Sequence, residues 1–273
     1  MTVPVLSAEN VTVTFHGRDE NGRRSVVHAC DDVSIDLHAG EIVALVGESG
    51  SGKTTIARAL ARIITPTEGT IRLRGEPLTR RVGRLEFAGQ VQMVYQDPFA
   101  SLNSLKTIRH ILGRVVRIHH PSLSRGQVET RIHELLELVA LTPSADYIDR
   151  FPTSLSGGQR QRISIARALA VEPDVILADE PTSMLDVSIR LDVLNLLDTI
   201  RREQGVSILY ITHDIASARY VSDRMCVMYH GELVEEADTE QLISDPQHPY
   251  TRRLLAAAPD PSRVKQTPAS AHT

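Results

Sequence analysis

Apolar and polar positions alternate loosely from Val5 to Phe15 and close on Val11-Thr12-Val13-Thr14-Phe15, the period of a half-buried strand. A second strand is predicted over Val26 to Leu37, with the polar, glycine-punctuated stretch Gly17 to Ser25 as an exposed loop between them. Ile42 to Val46 is an unbroken apolar run, entered through the turn Ala39-Gly40-Glu41. Ile56 to Arg62 then has helical spacing, Pro66 to Gly69 turns, Thr70 to Arg74 is a short strand, and Gln90 to Gln96 reads as a buried one.

From Asp97 the period changes. Leu105 to Ile118 and Gln127 to Ala140 carry apolar residues at helical spacing, with loops at Pro121 and Pro143. Ser156 to Ala170 is a further helix, opened by a serine and two glycines. Val175 to Ala178 and Val206 to Thr212 are strands on either side of a helix over Val187 to Glu203. Ile215 to Val221 is helical, Met225 to Tyr229 a strand, and Gly231 starts a hairpin return to Val234. Short helices near Thr239 to Ile243 and Pro249 to Ala258 finish the ordered chain, and Pro259 to Thr273 has the composition of a disordered tail. Strands alternating with helices predict an α/β protein with a mostly parallel sheet, interrupted by a helical insert from Asp97 to about Ser156.

Composition narrows the class. At 273 residues the chain can bury a substantial core. The net charge of −4 with interspersed signs argues against a nucleic-acid partner, and the absence of tryptophan against a stacking platform for bases. Cys30 and Cys226 lie far apart, without metal spacing, as buried thiols of a reducing compartment. No N-terminal signal pattern is visible, and no apolar run reaches the roughly 18 residues of a membrane span. A cytosolic protein, or one held at a membrane through a partner, is expected.

Between the strand Ile42 to Val46 and the helix that follows lies Gly47-Glu48-Ser49-Gly50-Ser51-Gly52-Lys53-Thr54-Thr55. Strand, glycine-rich loop and helix is the context in which backbone N–H groups cradle phosphates. The glycines let the loop curl, and the helix N-terminus adds its positive dipole end. Lys53 is placed to reach the β- and γ-phosphates and Thr54 to offer a hydroxyl to Mg²⁺. Only three of the 30 basic residues are lysines, and one stands here, where a compact point charge fits better than a planar fork. The strand Val175 to Ala178 runs into adjacent carboxylates: Asp179 suits the Mg²⁺ sphere, and Glu180, facing another way, suits polarising the attacking water. In Leu155-Ser156-Gly157-Gly158-Gln159, Ser156 is an N-cap and the glycines open a second helix N-terminus to an anion. A one-site enzyme has no need of two such surfaces.

With this stretch the chain resembles the ATP-binding cassette proteins, from Val5 to about Pro261 and with their motifs in family order. The resemblance implies a P-loop NTPase core with an N-terminal antiparallel β subdomain and an inserted helical subdomain. The ATPase domain then spans residues 1–260, with core and β subdomain from 1–96 and 157–260, the helical subdomain about 97–156, and a disordered 261–273. In that family two cassettes face each other, and the signature of one (here Ser156, Gly157, Gly158 and Gln159) closes over ATP held by the loop of the other (Gly47 to Thr55). Gln96 matches the glutamine that touches Mg²⁺ and the water, Asp179 the Mg²⁺ acid and Glu180 the catalytic base. Asp186 matches the loop between the two sites, His213 the histidine on the γ-phosphate, and Phe15 the aromatic that stacks on adenine. With Glu180 and His213 both present, a hydrolysing cassette is expected.

Tyr95-Gln96-Asp97-Pro98-Phe99-Ala100-Ser101-Leu102-Asn103 and His248-Pro249-Tyr250-Thr251 resemble segments of the oligopeptide, dipeptide and nickel importers. Ser104 stands where a proline usually follows the asparagine. Met184 and the stretch Asp214 to Tyr220 are similar to members that carry oligosaccharides. The alternatives are an exporter cassette and a soluble, non-transport member. For an importer subunit the resemblance implies a second ATPase subunit, a paralogue, and two transmembrane permeases. It also implies an extracytoplasmic binding protein and a peripheral place on the cytoplasmic face of the membrane. Read without the resemblance, the Asp245 to Thr251 stretch is a turn joining two helices and carries no chemistry of its own.

Overall fold

The computed structural model describes residues 3–18, 22–79 and 82–257. Among the described residues, ten strands fall into two sheets. The first is antiparallel: β1 (Leu6–Arg18) lies between β2 (Arg24–Leu37) and β4 (Glu68–Leu73), with the short β5 (Glu76–Pro77) at the edge. The second runs β10-β9-β3-β8-β7-β6. It contains β3 (Ile42–Val46), β6 (Val91–Val94), β7 (Val175–Asp179), β8 (Ser207–Thr212), β9 (Arg224–Tyr229) and β10 (Glu232–Asp238). Five of its strands are parallel, and only β10 pairs antiparallel, with β9.

The parallel strands are mostly apolar because both faces are covered. Alternate residues go to different cores: Ile42, Ala44 and Val46 join one, Val43 and Leu45 the other. On the second side lie α1 (Lys53–Leu60) and the inner face of the antiparallel sheet, through Ile56, Leu60, Val13 and Ile35. On the first side lie α7 (Gly157–Leu169), α8 (Val187–Gln204) and α9 (Ile215–Val221). The insert supplies α3 (Pro98–Ser101), α4 (Ile108–His119), α5 (Arg125–Leu138), α6 (Ala145–Ile148) and a 3₁₀ turn at Pro152–Ser154. Its Leu112, Val116, Ile132 and Leu135 belong to the same core as Ile163 of α7. The chain finishes with α10 (Thr239–Ser244) and α11 (Pro249–Ala257).

Most expected elements stand within a few residues of their sequence positions. The expected loop from Gly17 to Ser25 is shorter: β1 and β2 continue their pairing to Gly17↔Ser25 and Arg18↔Arg24. The helix α2 (Arg84–Gln90) is absent from the sequence reading, because only Phe87 is buried and seven residues with one apolar anchor give no period. It takes Gln90 out of the expected strand. The hairpin arm expected to end at Val234 runs on to Asp238. The expected tail 261–273 lies outside the described residues.

Candidate nucleotide site

The phosphate loop sits at the end of β3, between β8 and β9, and is shaped by what surrounds it. Gly47 has φ +148, and a Cβ there would lie 2.2 Å from the Met228 carbonyl oxygen. At Gly52, φ is +104 and a Cβ would lie 2.3 Å from the Ala29 carbonyl oxygen. Both positions therefore admit glycine alone. Helix α1 starts at Lys53 with no side-chain cap, which leaves the first N–H groups for an anion. The Lys53 ammonium is held inside the loop, donating to Gly47 O at 2.8 Å and Glu48 O at 2.7 Å. Burial lowers its pKa, against the pull of Glu180, Asp179 and Glu48.

Thr54 Oγ1 donates to Asp179 Oδ1 at 3.0 Å. Burial raises the Asp179 pKa, opposed by that hydrogen bond. Glu180, one residue on, turns away: its φ of +49 is left-handed, a costly conformation for a side chain with a Cβ. The turn is held by Glu180 N donating to Ile211 O at 2.9 Å. His213 Nδ1 then lies 2.7 Å from Glu180 Oε1. Below these groups, Tyr210 is fully buried, with its hydroxyl 3.1 Å from Thr182 Oγ1 and 3.0 Å from Ser217 Oγ. That hydroxyl chain ties the segment after Glu180 to the one after His213.

A cavity of about 700 Å³ unites Lys53, Thr54, Gln96, Glu180 and His213 with Glu48, Ser49, Gly50, Gly52 and Thr55. A comparable cleft of about 720 Å³, between the end of α1 and β4, holds none of the expected site residues. Asp179 does not line this cavity; it meets Thr54 and Gln96 beside Arg58 in an adjoining hollow. The set Thr54 hydroxyl, Asp179 carboxylate and Gln96 amide is all oxygen in its available donors, which suits Mg²⁺ bound jointly with phosphate and water. Phe15 is half exposed on β1, opposite Val27 in register; Val27 lines the cavity and Phe15 does not.

Ser156, Gly157, Gly158, Gln159 and Asp186 lie outside this cavity. Ser156 and Gln159 form a reciprocal capping box, with Ser156 N donating to Gln159 Oε1 at 2.9 Å. A Cβ on Gly158 would lie 2.5 Å from Ile189 Cγ2, so α7 packs against the start of α8, which Asp186 precedes. Sequence reasoning missed the cavity wall made by His28, Ala29, His230 and Gly231, which no local motif marks. It also missed Tyr250: the stretch read as a plain turn carries a hydroxyl that accepts from Glu48 N at 3.0 Å.

A family model described as "ABC transporter" matches residues 30–183, more than half the chain. The chain belongs to the ABC transporter family. A second model, "Oligopeptide/dipeptide transporter, C-terminal region", matches residues 234–272. The cassette is 46% identical over 252 residues to the oligopeptide transport ATP-binding protein OppF of Bacillus subtilis, covering 89% of this chain and 82% of that one. It is 42% identical over 262 residues to the protein of the same name in Streptococcus mutans, covering 95% and 83%. Among solved structures it resembles cbiO1 of Clostridium perfringens, part of an ABC transporter complex, with TM-score 0.76, 25% identity and coverage of 89% and 91%. It also resembles the ATP-binding cassette MJ0796 in a dimeric post-hydrolysis state bound to ADP and Pi, with TM-score 0.74, 29% identity and coverage of 86% and 98%. The chain is thus an ABC ATPase cassette. Among the described residues no helix is long and apolar enough to cross a membrane.

Proposed function

We propose that this cassette binds and hydrolyses ATP to drive peptide import, as one of two ATPase subunits beneath a pair of transmembrane permeases. The observation that carries the catalytic half is the Glu180–His213 contact beside Lys53 in one cavity. The importer half is supported by the C-terminal match over residues 234–272 and by the relatives named for oligopeptide transport. The second ATPase subunit is a paralogue or a copy. An extracytoplasmic binding protein delivers cargo to the permeases, and the cassette sits on the cytoplasmic face of the membrane.

In the proposed reaction, water attacks the γ-phosphorus in line. A new P–O bond forms as the bond to the β–γ bridging oxygen breaks, giving ADP and phosphate. Glu180 accepts the proton of the water, and His213 orients Glu180 and contacts the γ-phosphate. Lys53 and the loop N–H groups neutralise the phosphates. Thr54, Asp179 and Gln96 would hold magnesium, which supplies charge stabilisation at the β- and γ-oxygens when bound. Val27 lines the cavity where a base would extend, and Phe15, its neighbour in register, can reach an adenine only from outside the cavity wall. Ser156, Gly157, Gly158 and Gln159, with Asp186, act on nucleotide in the facing subunit. Gln96 stands at the junction of β6 and α3, where nucleotide occupancy can reorient the helical insert against the permeases.

The test is the Glu180→Gln variant co-expressed with its permeases and second cassette in vesicles. ATP-driven peptide uptake and ATP hydrolysis should both fall by about 10²-fold or more, with ATP still retained. Undiminished hydrolysis would remove Glu180 from the reaction, and uptake of no peptide by the wild-type assembly would remove the importer reading.

A further inference from the structure

The peptide unit between Gly47 and Glu48 is gripped at both ends. Its carbonyl, Gly47 O, accepts from Lys53 Nζ at 2.8 Å, and its N–H, on Glu48, donates to the Tyr250 hydroxyl at 3.0 Å. A peptide group is planar, so fixing the direction of the N–H fixes the direction of the C=O opposite. The Tyr250 hydroxyl thereby determines where one of the two carbonyls holding the Lys53 ammonium points.

The tyrosine is itself held rigidly. It is 6% exposed and stacks on Tyr229, with ring centroids 4.0 Å apart and 27° between planes. Tyr229 ends β9, the strand whose Met228 carbonyl closes over Gly47. The start of α11 is tied to β10, where the Glu235 carboxylate accepts from Gln247 N at 2.6 Å and His248 N at 3.0 Å. Arg252 Nε donates back to Pro246 O at 2.8 Å and closes the turn. From Glu235 to Glu48 the links are short, exposed at Gln247 and part-buried at His248 and Tyr250, and they join the end of the described chain to its phosphate loop.

We propose that Tyr250 is a positioning residue for the nucleotide site: through the Gly47–Glu48 peptide it presets the phosphate loop and the Lys53 ammonium for ATP. The proposal rests on the reading of the loop as the ATP cradle, and ATP binding by the wild-type chain tests that reading separately. Without the hydroxyl, the Glu48 N–H loses its acceptor and the peptide is held at its carbonyl end alone. Lys53 then has to be placed at the moment of binding, which raises the cost of that step.

The experiment uses the purified full-length chain, with ATP affinity measured by titration calorimetry and backbone amide exchange of Glu48 read by NMR. In the nucleotide-free wild type the Glu48 amide should be protected. Tyr250→Phe keeps the ring on Tyr229 and removes only the hydroxyl. It should weaken ATP binding about fivefold, the size of one ordinary hydrogen bond, and speed Glu48 exchange at least as much. Tyr229→Phe, which keeps the stack and removes a hydroxyl with no hydrogen bond to the loop among the described residues, should leave both quantities at wild-type values. An unprotected Glu48 amide in the wild type overturns the proposal, as does a Tyr250→Phe chain with wild-type affinity. Equal weakening by Tyr229→Phe shows a merely structural stack and overturns it too.

Discussion

His213 Nδ1 lies 2.7 Å from Glu180 Oε1 across the mouth of the cavity, although the imidazole is largely exposed and the carboxylate largely buried. The pair joins the ends of two neighbouring parallel strands, β7 and β8, and depends on the left-handed turn at Glu180. His213→Ala should lower kcat for ATP hydrolysis by about 10²-fold while changing ATP affinity far less. Steady-state kinetics of the assembled transporter checks this; a wild-type kcat removes His213 from the mechanism.

Burial holds the Lys53 pKa below the ordinary lysine range. Only the protonated ammonium attracts phosphate, so ATP affinity should fall at high pH, with the fall beginning below the pH at which a solvated lysine titrates. Binding measured across the alkaline range tests the direction. Lys53→Arg should abolish that limb and weaken binding at neutral pH, because a planar fork cannot reproduce the contacts with Gly47 O and Glu48 O.

For Asp179 the sign is reversed. Burial raises its pKa, so the carboxylate needed for a cation is lost on acidification sooner than at an exposed aspartate. The Mg²⁺-dependent part of ATP affinity should therefore decline toward acid from above the usual aspartate range. Asp179→Asn should remove the Mg²⁺ dependence at every pH. A Mg²⁺ titration at several pH values decides it.

Glycine tolerance in the loop should differ by position. Gly50→Ala meets open space at φ +81 and should cost about 1 kcal/mol from backbone strain alone. Gly47→Ala adds a 2.2 Å clash with the Met228 carbonyl and should cost clearly more, with loss of ATP binding. Thermal unfolding of both nucleotide-free variants gives the comparison.

Ser156→Ala breaks the capping box of α7 and should cost about 1 kcal/mol of stability. ATP affinity of the isolated chain should stay unchanged, because Ser156 lies outside the chain's own cavity. Hydrolysis by the paired assembly should fall. Equal loss of affinity in the isolated chain would contradict a role across the interface.

The parallel strands were legible because apolar runs of four to six residues stand between polar turns, as at Ile42–Val46 and Ser207–Thr212. The helix α5 was legible from apolar residues at helical spacing over Gln127 to Ala140, and α7 from Ser156 as an N-cap ahead of two glycines. The helix α2 was not, since its one buried residue, Phe87, owes its burial to packing that no neighbouring residue encodes.

The sequence alone determined the order of the longer strands and helices and the presence of a glycine loop ending in Lys53 and Thr54, because period and φ preference are local properties of the chain. Only the tertiary structure decided which side chains share the cavity. His28 and His230 enter it from separate sheets, and Asp179 meets Thr54 across 125 residues. It also decided that Tyr250, 202 residues beyond Glu48, caps the loop. Contacts at such separation depend on strand order and register, which are fixed only when the two sheets and the helices pack as one body.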